Sequence, residues 1–207
     1  MECDGEPSTH ATRSIRHTLF VIPTEGVRRA SGGIYGVRWP AHHHIQSGQL
    51  PYNADMPTDP DFDRIRHHAE SIFACGPYSV HGPEHWRRVE EFGLELARKT
   101  GADETVVRLF ATLHDSCRLN DGGDFQHGPR AADMLASLVG DLVTLEADRL
   151  ALLDYAIRHH TEGQVSADPT IGTCWDADRL DLGRVGMRPR KRYMSTDAGR
   201  KRAEKPR

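Results

Sequence analysis

The 207-residue chain predicts an all-α fold. Three observations carry that expectation. From Asp59 to about Gly186 the apolar residues recur with the 3.6-residue period of amphipathic helices, and Gly or Pro closes most of the runs. No stretch shows the apolar–polar alternation of a half-buried strand. Charge divides the chain at the same places, with a net −1 over residues 1–60, −9 over 61–186 and +7 over 187–207. The expected organisation is a flexible, loosely structured N-terminal extension (1–58), a helical bundle (59–186) and a basic C-terminal tail (187–207).

The extension is punctuated by Gly32-Gly33, Pro40, Pro51-Tyr52-Asn53, Pro57 and Pro60, a composition that buries little apolar surface. His42, His43 and His44 fall here, but three consecutive side chains diverge on any regular backbone and do not share a metal. In the bundle, Phe62, Ile65, Ala69, Ile72 and Phe73 mark a first helix, ended by Gly76-Pro77. Pro83 opens a second, with Trp86, Val89, Phe92 and Leu96 on one face and Gly101 at its end. Asp103 caps a third, whose Val106, Val107, Phe110 and Leu113 face inward. A fourth runs from about Pro129 through Ala131, Met134, Leu135 and Leu138 to Gly140. A fifth carries Leu145, Leu150, Leu153, Ala156 and Ile157, followed by Gly163; a sixth begins near Pro169 and passes Trp175 to Gly183. The tail, from Arg188 to Arg207, reads as a solvated end, since only Tyr193 interrupts its charges.

Composition excludes several classes. A 37% hydrophobic content, a mean hydropathy of −0.61 and no run of about 18 apolar residues argue against a membrane span. The first thirty residues lack an apolar core flanked as a signal peptide would be. Four cysteines without a CxxC pair fit a reducing compartment, so the cytoplasm is the expected location. Cys117 and Cys174 have no dedicated base and are read as core, as are Trp86 and Trp175 at their helical spacing.

The thirteen histidines are more informative once placed on the helices. His85 precedes Val89 by four and Phe92 by seven, on the buried stripe of the second helix. His114 follows Phe110 by four, with Asp115 at the edge of that stripe. His127 precedes Ala131 by four, His160 follows Ala156 by four, and Asp178 follows Trp175 by three. Five helices thus aim an imidazole or carboxylate inward. Unpaired buried carboxylates cost several kcal/mol, about 3–5 for an uncompensated charge, and no lysine points in with them. A divalent cation is the economical compensation. Imidazole nitrogen with carboxylate oxygen suits Mn, Fe, Ni, Co or Zn, and the lack of thiolate ligands argues against a structural zinc site.

Those residues also carry a resemblance. The order His85, then His114-Asp115 in FATLHDSCR, then Asp178 in CWDADRLDL is similar to the HD superfamily of metal-dependent phosphohydrolases. HGPEHWRRV resembles that family's first motif, which implies His85 rather than His81 as ligand; the last motif implies Asp178 rather than Asp176. The resemblance covers roughly residues 59–186 and implies a single HD-type helical bundle. His127 in HGPRAADML and His160 in RHHTEG match places where binuclear members add ligands for a second metal, with His159 as an alternative. Arg118 stands where several relatives carry a lysine facing phosphate, an exchange that keeps charge but not geometry.

The implied activity is hydrolysis of a phosphomonoester, phosphodiester or nucleotide phosphate by metal-activated water, with one or two ions among Mn, Fe, Ni, Co, Mg and Zn. His85, His114, Asp115 and Asp178 are the implied ligands, extended by His127 and His160. Asp115, Arg118, His127, His160 and Arg179 are the candidate catalytic residues, binding the anionic substrate or protonating the leaving oxygen. Asp124, Asp176 and Asp181 are candidates to orient the ligating imidazoles. The Gly122-Gly123 turn lacks the setting of a phosphate loop and is expected to shape a mobile connection over the site. The expected partner is a small phosphorylated molecule, a nucleotide being favoured, and a homodimer is allowed. A polyanionic nucleic acid is disfavoured by the −9 of the bundle. A non-hydrolytic regulatory module and a diiron oxygenase-like relative stand as alternatives.

Overall fold

The structure, a computed structural model, describes residues 60–205. The expectations for residues 1–58, including His42–His44 and Cys3, lie outside the described residues. Within them the chain forms seven α-helices and three short 3-10 turns, with no strand beyond a single bridge between Val139 and Val143.

Helix α1 (Phe62–Ile72) starts at Asp61, whose carboxylate accepts the amide of Arg64 at 3.1 Å. Helix α2 (Pro83–Thr100) has proline at its first position, where the missing N–H has no intrahelical partner. It buries His85, Trp86, Val89, Gly93, Leu96 and Ala97 along one stripe. Helix α3 (Glu104–Leu113) is capped by Asp103, as expected, and is buried from Leu109 to Leu113. It is the central element: α1, α2, α5 and α6 all pack against it.

Helix α4 (His127–Leu138) begins two residues earlier than the position of Pro129 suggests. Proline is tolerated throughout a first turn because the amides there have no intrahelical acceptor, so it does not mark the start. Helix α5 (Ala147–His159) pairs with α4 and continues into a 3-10 turn, His160–Glu162. Gly128 makes that pairing close: a Cβ there would meet the carbonyl oxygens of Ile157 at 2.9 Å and Arg158 at 3.0 Å. Helix α6 (Pro169–Leu180), capped by Asp168, stops short of Gly183 and tightens into a 3-10 turn, Asp181–Val185. Trp86 and Trp175 are core residues, as their spacing predicts; their indole N–H groups donate to the carbonyls of His81 (2.7 Å) and Ala156 (2.9 Å). Cys174 is buried in the same core, and Cys117 packs half-buried against it.

The basic tail departs from expectation. Rather than a solvated end, it forms a 3-10 turn (Lys191–Tyr193) and helix α7 (Asp197–Ala203), which packs on α6 and α2. Met194 and Ala203 are buried with Leu96 and Leu180. The latch is Asp176, whose carboxylate accepts the amides of Ser195 (2.6 Å) and Thr196 (2.8 Å) and the Thr196 hydroxyl (2.8 Å). Gly199 permits the approach, since a Cβ there would lie 2.1 Å from Asp176 Oδ2. Two apolar anchors in a strongly basic segment leave little periodicity to read, which is why the sequence conceals this helix.

Candidate metal centre

The inward polar residues converge as their helical phases require. His85 sits on the buried face of α2, His114 and Asp115 at the end of α3, His127 at the first position of α4, His160 just beyond α5, and Asp178 on α6. The Nε2 atoms of His85 and His114 are 3.2 Å apart. Asp115 Oδ2 lies 3.5 Å from each of them, and Asp178 Oδ1 lies 3.3 Å from His85 and 3.9 Å from His114. The other oxygen, Asp115 Oδ1, lies 3.0 Å from His127 Nε2 and 3.6 Å from His160 Nε2, which are themselves 2.8 Å apart. Two buried groups able to hold a metal ion result: His85, His114 and Asp115, and Asp115, His127 and His160. Asp178, with a side chain 20% exposed, borders the first group and is more open than any of its members.

The chemistry of the donors fits a cation. Each imidazole presents Nδ1 to an acceptor: His85 to Asp181 Oδ2 (2.8 Å), His114 to the carbonyls of Phe110 and Ala111 (3.1 Å each), His160 to the Ile157 carbonyl (2.7 Å), and His127 to the Asp124 carbonyl. A ring that donates from Nδ1 offers a lone pair at Nε2. The paired Nε2 atoms face one another at 3.2 and 2.8 Å, an arrangement that calls for a proton or a cation between them. Electrostatics agree. Burial alone would raise the Asp115 carboxyl, but the imidazoles of His114, His127 and His160 gathered around it hold it well below the usual range. Burial likewise opposes the ionisation of Asp178, but the hydrogen bond with His85 outweighs burial and holds the carboxyl below its usual range. Burial pushes His114 down to about 3. His85 is raised despite burial by Asp178 and Asp181, and His160 despite burial by Asp115.

The supporting residues separate into those brought to the cluster and those that are not. Asp181, fully buried, accepts from Arg88 Nε on both oxygens (2.9 and 3.1 Å) while holding His85. Asp124 latches its loop through the Leu119 amide (2.9 Å) and Arg130, and orients His127 through its carbonyl rather than its carboxylate. Arg118 is buried with Nε 3.9 Å from Asp115 Oδ1 and Nη1 3.2 Å from His127 Nδ1. His160, not His159, reaches the cluster; His159 pairs at the surface with Glu162 at 2.7 Å.

Two expectations are corrected. Asp176 orients no imidazole, because it holds the tail. Arg179 is not turned to the cluster either: its guanidinium donates to the carbonyls of Tyr193 (2.8 Å) and Gln164 (2.6 Å), bracing the tail against the loop before α6. Arg88 and Arg184 were not singled out in the sequence. Arg88 could have been found one turn after His85, but Arg184 follows Gly183 outside any helical stripe. At the rim, Asp121 accepts from Ser79 (2.5 Å) and lies 2.9 Å from His81 Nδ1, tying the loop before α2 to the loop after α3.

Fold and cluster together give an all-helical bundle, consistent with an HD-type domain, whose buried His–Asp groups could hold a metal ion. The chain is similar in structure to a predicted HD superfamily hydrolase from an uncultured Thermotogales bacterium, at 28% identity and a TM-score of 0.57, over 72% of this chain and 86% of that one. No family model and no curated protein matches the chain. Among the described residues no helix is long and apolar enough to cross a membrane.

Proposed function

We propose that the chain is a metal-dependent hydrolase of phosphoester bonds in a small phosphorylated substrate, a nucleotide being the first class to test. The carrying observation is Asp115, one buried carboxylate with its two oxygens turned to two different histidine pairs. His85, His114, Asp115 and Asp178 would hold one divalent ion, and Asp115, His127 and His160 a second, with Asp115 shared. Bound there, such ions supply Lewis acidity, bringing the pKa of water toward about 7 and neutralising charge on phosphoryl oxygens.

The protein's own groups do the rest. Asp181 and the carbonyls of Phe110, Ala111, Asp124 and Ile157 lock the imidazole tautomers, so the centre is oriented before substrate arrives. Asp178 marks the open side, from which a phosphoryl group approaches. Arg118, buried between Asp115 and His127, offers a guanidinium to the anionic substrate. The likeness to a predicted hydrolase supports this reading, and the acidic body makes a nucleic acid a poor substrate.

The test is metal analysis of purified protein followed by a metal-supplemented phosphatase screen over aryl phosphates and nucleotides, with Asp115→Ala as control. One or two transition ions per chain and hydrolysis that the variant loses are expected. A metal-free protein that cannot be loaded sinks the assignment. The same pairing of His127 and His160 on Asp115 favours a second reading, a diiron oxygenase-like centre. Iron-specific, oxygen-dependent turnover without phosphate release distinguishes it.

A further inference from the structure

Among the described residues, two buried side-chain nitrogens have no hydrogen-bond partner: Arg118 Nε and Arg184 Nη1. Buried donors are nearly always paired, and an orphaned charged one is kept where a ligand completes it. Both orphans border the centre, one beside each half. Arg118 Nε is 3.9 Å from Asp115 Oδ1, the oxygen facing His127 and His160. Arg184 Nη1 is 3.9 Å from Asp178 Oδ1, which faces His85 and His114.

Arg184 is a built feature. Its side chain is only 10% exposed, and Nε donates to the Val80 carbonyl at 2.8 Å, which fixes the guanidinium in place. The same Nη1 also lies 3.9 Å from Asp181 Oδ2, but both oxygens of that carboxylate already accept from Arg88 Nε. The 3-10 turn Asp181–Val185 is what folds it back beside Asp178. With two divalent ions bound, Asp115 and Asp178 offset only half of the ionic charge, and two guanidiniums add to the excess. A doubly charged phosphoryl group offsets that excess better than a singly charged one.

We infer that Arg184, together with Arg118, binds the phosphoryl oxygens of the substrate, one guanidinium at each half of the centre, and that the pair selects a dianionic phosphomonoester over a monoanionic phosphodiester. This deepens the hydrolase reading and rests on it, but binding alone tests it.

Inorganic phosphate and dimethyl phosphate, the dianionic and monoanionic probes, are titrated calorimetrically at pH 7.5 into the full chain, both metal-free and manganese-loaded. The proteins are wild type, Arg184→Gln, Arg184→Lys, Arg118→Gln and the exposed-site control Arg188→Gln. Wild type prefers inorganic phosphate. Arg184→Gln and Arg118→Gln each weaken phosphate about tenfold or more, and dimethyl phosphate less, with manganese content unchanged. Arg184→Lys, which keeps the charge but not the planar fork, falls between and serves if Arg184→Gln destabilises the loop at Val80. Arg188→Gln binds as wild type does. Unchanged phosphate affinity in the Arg184 variants overturns the inference, as does wild type binding phosphate in neither form or preferring neither probe. If the binding pattern holds but no ester is hydrolysed, the hydrolase reading fails and the anion site stands.

Discussion

Asp181 Oδ2 lies 2.8 Å from His85 Nδ1, joining the turn after α6 to the start of α2 across 96 positions of sequence. The carboxylate is fully buried and held by Arg88, and burial, which alone would raise it, is outweighed by His85 and Arg88, so it stays ionised. It sets both the tautomer and the direction of the ring. Asp181→Asn should therefore weaken manganese or zinc binding by about 10–100-fold, read by calorimetric titration. Wild-type affinity in the variant would show that His85 needs no such guide.

Asp115 serves both histidine pairs, so its loss should not be local. Asp115→Ala should abolish ion binding at both groups together with hydrolysis, giving a metal content near zero by elemental analysis. A variant that retains one ion would show that the two groups do not depend on a common ligand.

Gly128 bears on one half only. Its missing Cβ lets α4 approach the carbonyls of Ile157 and Arg158, the stretch that leads into His160. Gly128→Ala should lower unfolding free energy by about 1–3 kcal/mol, as overpacking does. It should also cost the ion at Asp115, His127 and His160 while leaving the one at His85 and His114. Denaturant melts and metal counting check both parts.

Asp103 ties α3 to α5: it accepts the Val106 amide at 3.1 Å and Arg149 at 2.6 and 2.8 Å. Arg149 holds its carboxyl below the usual range. A depressed folded value contributes stability that is present above the unfolded pKa of about 3.9 and is lost as pH falls through the folded one. Asp103→Asn should thus cost about 1–2 kcal/mol at pH 7, and the gap to wild type should close below about pH 4. A gap that does not vary with pH would exclude the ion pair as its source.

Arg179 tests the corrected role of a residue that the HD resemblance places in catalysis. Arg179→Ala should release the tail held at Tyr193, exposing residues 187–205 to limited proteolysis, while metal content stays at the wild-type level. Loss of metal with an undigested tail would return Arg179 to the centre.

Much of this was legible because helical phase is a local property. Val89 and Phe92 place His85 on a buried face, and Phe110 and Val107 do the same for His114, without knowledge of any partner. Ala156 and Leu153 placed His160, yet could not separate it from His159, since adjacent residues near a helix end differ by only about 100°. The structure separates them: His160 begins the 3-10 turn and reaches Asp115, while His159 stays with Glu162. The boundary of α4 escaped because proline in a first turn marks no unique start.

The sequence by itself determined that this chain builds a helical bundle from about Asp59 and that His85, His114, Asp115, His127 and Asp178 face its interior, because each of these facts follows from a repeat of a few residues. Which acid supports and which anchors was decided only by the tertiary structure. Asp176, Asp178 and Asp181 lie within one turn and a half of each other, yet one holds the tail, one borders the centre and one orients His85. The same holds for Arg179, which braces the tail, and Arg184, which returns to the centre. Their roles depend on what packs against each face of α6, and those partners come from residues far away in the chain.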